Sequence, residues 1–69
     1  MIEMVFMVEE VPEGGYVARA LGEDIFTQAE TVEALRENIR DAVRCHFEDE
    51  NARPKAIRLH FVRDEVMTP

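Results

Sequence analysis

The chain has 69 residues, of which 15 are acidic and 8 are basic, so its formal net charge is −7. This length allows a single domain, residues 1–69, and excludes large enzyme architectures such as a doubly wound nucleotide-binding domain, which needs on the order of 150 residues or more. A hydrophobic fraction of 46%, with only three glycines and three prolines, also excludes a disordered chain.

The sequence offers no covalent or metal reinforcement for so small a core. Its one cysteine, Cys45, permits no internal disulfide, and no residues have the spacing of a structural metal site. Ordering the chain costs on the order of 100 kcal/mol, which leaves little surplus stability. We therefore expect the chain to gain buried area as a homo-oligomer, most simply a dimer, and we expect neither a metal nor a cofactor.

Hydropathy and charge restrict where in the cell the protein is expected and which binding partners it favours. The longest apolar run, Met4–Val8, is far shorter than the ~18 residues of a membrane-spanning helix, and no basic segment precedes it as in a secretory signal. With a single thiol, the chain is expected in the reducing cytoplasm. Its acidic balance argues against direct binding to nucleic acid and favours a basic partner.

The first part of the chain predicts an antiparallel meander of three strands. The first strand is rich in β-branched, aromatic and methionine side chains and is expected to be apolar on both faces. Gly14 and Gly15 accept positive φ in the turn that follows it. The predicted strands are residues 2–10, 16–21 and 25–28, joined by turns at 11–15 and 22–24.

An amphipathic helix is predicted after Thr31, whose hydroxyl is suited to cap a helix N-terminus. The opposite, polar face pairs charges three residues apart, at Glu33–Arg36, Glu37–Arg40 and Asp41–Arg44. The apolar positions fall within an arc of about 140° at 100° per residue, and they are Val32, Leu35, Ile39, Ala42, Val43, His46 and Phe47.

The end of the helix is predicted from the residues that follow this pattern. Asn51 is suited to the left-handed conformation that ends many helices, and Pro54 prevents any continuation. The acids at 48–50 oppose the negative end of the helix dipole. We therefore expect the last turn to fray.

Residues 56–62 alternate apolar with basic or histidine side chains and predict a fourth strand. The order β-β-β-α-β predicts an α+β fold with a four-stranded sheet in the order 3-2-1-4. A helix crossover then brings the last strand parallel to the first. On the last strand, one face carries Ile57, Leu59 and Phe61, and the other carries Arg58 and His60.

A single helix covers only one face of this sheet, so the other face keeps Val5 and Met7 in contact with solvent. An uncovered apolar face is typical of a protein contact. We expect an oligomer interface through this face or through an edge strand, and it would bury Val5, Met7 or Val62. Residues 63–69 are expected to extend an edge or to pack onto a neighbouring chain.

Residues with catalytic or ligating potential do not assemble into a recognisable site. Two-metal hydrolysis needs carboxylates gathered around two metal ions, whereas Glu33 and Glu37 lie on the polar side of the helix, away from the sheet. Cys45 and His46 are neighbours, so on a helix they point about 100° apart and do not easily share an ion. We expect no enzymatic activity.

Three segments resemble the HicB-like antitoxin family. They are the acidic hairpin Glu10–Ala18 (EVPEGGYVA), the approach to the helix Thr27–Thr31 (TQAET) and the helical segment Glu37–Val43 (ENIRDAV). The resemblance covers residues 3–47 and implies a partial ribonuclease H fold with the same element order. The DNA-binding domain of full-length relatives has no counterpart in these 69 residues, so the resemblance does not imply operator binding.

The resemblance implies a module that neutralises a small basic RNA-cleaving toxin by occlusion. Glu9, Glu10 and Glu13 are the charges expected to steer the approach of the toxin. Tyr16, with apolar side chains of the first strand, is expected to supply the adhesive contact with the toxin. The alternative is a small dimeric protein with a structural or regulatory role and no toxin, in which these acids only keep the chain soluble.

Overall fold

The computed structural model describes residues 2–69, and within them the chain folds in the predicted order β-β-β-α-β. The strand limits differ from the predicted ones by one residue at most. None of the helices in this range has the length and hydropathy that crossing a membrane requires. The elements are β1 (Glu3–Glu10), β2 (Tyr16–Ala20), β3 (Phe26–Ala29), α1 (Val32–His46), a 3-10 turn (Glu50–Ala52) and β4 (Ala56–Val62).

The strands form one sheet in the order β3-β2-β1-β4, which confirms the predicted topology. β1 pairs antiparallel with β2 and parallel with β4, so it is hydrogen-bonded along both edges. In this register Met7 lies between Arg19 of β2 and His60 of β4, and Arg19 lies opposite Phe26 of β3. Directly opposed side chains point to the same face of a sheet, so the register fixes which residues share a surface.

The core lies between α1 and one face of the sheet. β1 contributes every second residue to it, and α1 contributes residues four apart, as the strand and helix periods require. Burying each large apolar side chain contributes about 1.5–3 kcal/mol. Within residues 2–69 the fully buried side chains are all apolar: Met4, Phe6, Val8, Ala18, Ala20, Ile25, Leu35, Ile39 and Val43.

α1 begins where the sequence predicts. The hydroxyl of Thr31 accepts a hydrogen bond from the backbone N–H of Ala34 at 3.1 Å, a cap that contributes about 1 kcal/mol in typical helices. The side-chain amide of Asn38 donates to the carbonyl oxygen of Gln28 at 3.0 Å and ties the helix to β3. The start of the helix is thus fixed both locally and against the sheet.

Of the three ion pairs expected on the outer face of α1, two form. Arg40 lies 2.6 Å from Glu37, and Arg44 lies 3.2 Å from Asp41. All four side chains are about half exposed or more, so each pair contributes only ~0.2–0.5 kcal/mol. The third prediction was wrong, because Arg36 makes no ion pair within residues 2–69 and lines a groove beside β4 instead.

The end of α1 also differs from the prediction. The helix ends at His46, and Phe47 caps it from an extended conformation. Asn51 is not left-handed; it lies in the 3-10 turn, and no non-glycine residue within 2–69 has a positive φ. A left-handed cap is unnecessary because Arg53 supplies the missing donors: its guanidinium donates to the carbonyl oxygens of Phe47 at 2.8 Å and of Arg44 at 3.3 Å.

The acids at 48–50, which were expected to fray the last helical turn, lie beyond the helix. The carboxylate of Asp49 accepts a hydrogen bond from the N–H of Asn51 at 3.0 Å and caps the 3-10 turn. Carboxylates are unfavourable at the negative end of a helix dipole. The early end of α1 therefore removes these carboxylates from the last helical turn.

α1 packs mainly over β2 and β3 and leaves the helix side of β4 partly uncovered. Ile57 and Leu59 are only half-buried, and Phe61, the next residue on that side, is 49% exposed. A groove of about 210 Å³ runs between the helix and β4. The side of β4 that carries Ile57, Leu59 and Phe61 is thus partly a surface.

Beyond β4 the chain leaves the folded body. Residues 63–69 have no regular secondary structure, and Val66 and Met67 are 95% and 77% exposed. The molecule measures 51 × 20 × 18 Å, whereas an eight-residue strand spans only about 27 Å and a 15-residue helix about 22 Å. Its long dimension therefore reflects a segment that extends away from the sheet.

We expect Gly15→Ala to destabilise the fold more than the matched control Gly14→Ala. Both glycines have positive φ, 91° and 103°, so either substitution strains the backbone by about 1–2 kcal/mol. Only at position 15 does the new Cβ also lie 2.9 Å from the carbonyl oxygen of Ala29. Thermal unfolding followed by circular dichroism measures the difference, and equal midpoints for the two variants would contradict this expectation.

Candidate functional site

The face of the sheet opposite α1 has no covering layer within residues 2–69 and is called here the open face. The register of the four strands determines its members. Its polar residues are Glu3, Glu9, Arg19, Gln28, Arg58 and His60. Its apolar residues are Val5, Met7, Val17, Phe26, Ala56 and Val62.

The centre of the open face is apolar and partly accessible. Val5 and Met7, on the central strand, are half-buried by their neighbours, while Phe26 is exposed and lies 5.9 Å from the guanidinium carbon of Arg19. The sequence places Val5, Met7 and Val62 in an oligomer interface. The structure brings all three to this one face, and the interface itself stays a prediction.

The open face differs in charge from the rest of the chain. It carries two acids, Glu3 and Glu9, and two arginines, Arg19 and Arg58, so its formal charge is zero with His60 neutral. The net charge of −7 therefore lies on the loops, the outer side of α1 and the ends of the sheet. A partner that approaches the open face meets an apolar centre with charges of both signs.

An ion pair joins the first and last strands across the open face. The guanidinium of Arg58 donates to both carboxylate oxygens of Glu3, at 2.9 and 3.0 Å. These hydrogen bonds, with the attraction of the positive charge, lower the pKa of the Glu3 carboxyl and raise the pKa of the Arg58 guanidinium. The pair fixes the orientation of two charges at one end of the face.

The candidate steering acids gather at the other end of the sheet, where β1 ends. Glu9 lies on the open face opposite Val17, while Glu10 lies opposite Tyr16 on the helix side. Glu13 lies in the hairpin turn that follows. The three carboxylates therefore share one end of the molecule without sharing one face.

Sequence reasoning missed a fourth acid at this end. Glu30, directly before the helix cap, lines a depression of about 310 Å³ together with Glu13, Tyr16 and Gln28. The available signal was the antiparallel pairing of β2 with β3, because it returns the chain to the end of the sheet where β2 starts. Glu9, Glu10, Glu13 and Glu30 are called here the acidic end.

Tyr16 also lines a groove with a volume of about 610 Å³. Phe61 and Val8 contribute to its apolar lining, and Arg63 and Asp64 add charges of both signs. Phe61 is accessible in this groove because α1 lies mainly over β2 and β3. Tyr16 therefore shares the groove with a second aromatic ring, and the adhesive contact expected at Tyr16 stays a prediction.

The remaining candidates for chemistry make structural contacts. Within residues 2–69 no three His, Cys, Asp or Glu side chains gather as a metal site would require. Cys45 is exposed. His46 Nε2 lies 3.2 Å from the carboxylate of Glu23, and its ring packs edge-on against Phe47 with centroids 4.8 Å apart. His46 thus links the end of α1 to the turn between β2 and β3.

We expect the Glu3 carboxyl to titrate below the ordinary range of a glutamate, because its hydrogen bonds to Arg58 lower its pKa in the folded state. Its stabilising contribution is therefore present above the unfolded-state pKa and is lost as the pH falls through the folded-state pKa. The carboxyl ¹³C chemical shift of Glu3 followed against pH measures its midpoint. Arg58→Gln should return the Glu3 midpoint to the ordinary range, and an unchanged midpoint would contradict the assigned cause.

Two curated relatives, each named UPF0150 protein, are similar to this chain. The protein from Archaeoglobus fulgidus is 58% identical over 52 residues, which cover 75% of this chain and 76% of the relative. The protein from Thermotoga maritima is 48% identical over 62 residues, which cover 90% of this chain and 86% of the relative. No protein-family model and no solved structure matches the chain. By this identity and coverage, the chain belongs to the UPF0150 family.

Proposed function

We propose that this chain is a protein-binding module of the HicB antitoxin type, which neutralises a small basic RNA-cleaving toxin by covering its RNA-binding surface. The observation that supports this most directly is the open face, where Val5, Met7 and Val17 lie on a side of the sheet that no other layer within residues 2–69 covers. A sheet with one bare apolar face is typical of a partner interface. The hairpin and helix segments that resemble HicB-like proteins support the class of partner.

The distribution of charge supports a basic partner. An RNA-cleaving protein binds a polyanion, so the surface around its active site is positive. The chain proposed to cover that surface has a net charge of −7 and concentrates four carboxylates at its acidic end. Surface potentials of opposite sign raise the rate at which two proteins encounter each other.

Apolar and charged residues have separate roles in this proposal. Exposed carboxylates at the rim mainly accelerate association, whereas buried apolar contacts set the lifetime of the complex. Glu9 is the member of the acidic end that lies on the open face, in the row next to Met7. It is therefore positioned beside the apolar contact, and the other acids act from a greater distance. Inhibition is steric, since no bond forms or breaks.

A small homodimer with a structural or regulatory role is the second candidate function. The observation that favours it is the segment after β4, where Val66 and Met67 are almost fully exposed. Apolar side chains held away from the core in a 69-residue chain favour contact with another copy. This candidate requires no toxin.

We expect the triple variant Glu9→Lys, Glu10→Lys, Glu13→Lys to bind the toxin more slowly. The toxin is sought as the small basic protein encoded beside this chain, co-expressed and purified as a complex. Surface plasmon resonance at low and high salt should show an association rate about tenfold lower or more at low salt, with a nearly unchanged dissociation rate. Met7→Asp should instead accelerate dissociation, because it places a charge within the apolar contact.

The matched control is Glu33→Lys, Glu48→Lys, Glu50→Lys, which makes the same change in net charge at exposed positions on α1 and after it. It should slow association less than the first triple variant. Equal slowing by both variants would contradict steering by the acidic end. The absence of a complex at every salt concentration would contradict the antitoxin role and leave the dimeric role in its place.

A further inference from the structure

β4 is an edge strand whose outer side is unprotected. It pairs with β1 on one side, and no strand within residues 2–69 pairs with it on the other. An edge of this kind presents N–H and C=O groups on which another strand can pair, and natural proteins usually block such an edge. No proline or bulge blocks this one, and its residues alternate apolar with basic or histidine side chains. The edge is therefore available to a further strand.

The helix side of this edge has an unusual chemistry for so acidic a chain. The groove between α1 and β4, about 210 Å³ in volume, is lined by Ile39, Ile57 and Leu59 together with Arg36 and Arg40. Arg40 is engaged with a carboxylate on its own helix, but Arg36 has no ion-pair partner within residues 2–69. The groove suits a strand that carries an apolar side chain next to an acid.

The segment after β4 has the complementary chemistry. Asp64 and Glu65 are followed by Val66 and Met67, so a strand made of these residues presents one acid and one apolar side chain on each side. Both apolar side chains are almost fully exposed, and the segment extends away from the domain. Residues 63–69 contain no turn that would bring the segment back onto its own β4.

We propose that residues 64–67 of each copy pair antiparallel with the β4 edge of a second copy, so that two chains exchange these segments in a twofold dimer. A register that places Val62 on the twofold axis keeps odd-numbered residues on the helix side and even-numbered residues on the open-face side. The inference is independent of the antitoxin role. It assigns the second copy to the edge and leaves the open face to another partner.

This register matches residue types on the helix side of the sheet and at one of two positions on the other side. On the helix side, Glu65 lies opposite Leu59 and Met67 opposite Ile57 of the second copy, beside the groove that Arg36 and Arg40 line. On the other side, Asp64 lies opposite His60, and Val66 lies opposite Arg58. Acids thus face basic or titratable groups, and Met67 faces the apolar groove.

Twofold symmetry makes the exchange self-limiting. Each copy gives one segment and receives one, so the interface is closed and no edge of β4 remains for a third copy. Backbone hydrogen bonds supply affinity in such strand additions, and the alternate side chains supply specificity. The two sheets become one sheet of eight strands, four from each copy.

The first test measures the mass of the full chain in sedimentation equilibrium between about 1 and about 500 µM, a range that brackets micromolar dissociation constants. The expected species has twice the mass of the 8.0 kDa chain. Val66→Ser, Met67→Ser, which removes apolar side chains without adding a charge, should weaken the dimer about tenfold or more, whereas Met7→Asp on the open face should not. A monomer at all concentrations, or dissociation by Met7→Asp alone, would overturn the proposal.

The second test exchanges charges. Arg36→Glu and Glu65→Arg should each weaken the dimer, because each places like charges together across the interface, and the chain that carries both changes should recover the dimer. Arg44→Glu, on the same helix but away from the groove, is the matched control and should leave the dimer intact. Equal weakening by the control, or no recovery in the double variant, would contradict the assigned groove.

The third test distinguishes exchange between chains from folding back within one chain. A nitroxide attached at Thr68→Cys, in a Cys45→Ser background, is mixed with ¹⁵N-labelled chain that carries no nitroxide. The amide signals of Ala56 and Ile57 in the labelled copy should broaden, and a nitroxide at Asp41→Cys should not broaden them. Unbroadened signals in that labelled copy, together with broadening of the same signals in a chain that carries both the nitroxide and ¹⁵N, would overturn the proposal.

Discussion

The structure depends on one strand that is paired along both edges and apolar on both faces. β1 lies between β2 and β4, and its alternate residues Met4, Phe6 and Val8 form the centre of the core. Its remaining apolar residues point away from α1, and the chain has no second layer within residues 2–69 to cover them. The open face is therefore a consequence of how the core is built. A strand placed at the centre of a small sheet needs apolar residues on both sides, and one helix covers only one of them.

The position of that helix determines the other surfaces. α1 follows β3 after a short connection and is tied to it by Asn38, so it lies over β2 and β3 and leaves the helix side of β4 thinly covered. The exposed ring of Phe61 and the groove at Ile57 and Leu59 follow from this offset. The chain thus exposes apolar residues on the open face, along β4 and in residues 63–69. Most of its excess negative charge lies elsewhere. Because charge and apolar surface are separated in this way, a chain of 69 residues has room for several distinct protein contacts.

Periodicity was sufficient to predict the sheet, its order and the start of the helix. Alternation marked β1 and β4, the glycine pair marked the hairpin, and Thr31 marked the helix cap. The end of α1 was not predictable from local preference, because its last carbonyls are satisfied by Arg53, which lies six residues beyond Phe47. The candidate site was predicted in part. Local patterns identified Val5, Met7 and Glu9, whereas the roles of Glu30 and Phe61 depend on the register between strands and on where the helix lies. Neither of those properties is encoded in neighbouring residues.

The parallel pairing of β1 with β4 also determines the order in which the molecule can form. The ion pair between Glu3 and Arg58 joins positions 55 residues apart, so the central strand acquires its second neighbour only after most of the chain has left the ribosome. Until then β1 has the hairpin on one side and a bare edge on the other. Contacts of high sequence separation slow folding, and unpaired apolar strands aggregate during the delay. For this small domain, the interval before β4 pairs with β1 is therefore the stage at which an apolar strand edge is exposed.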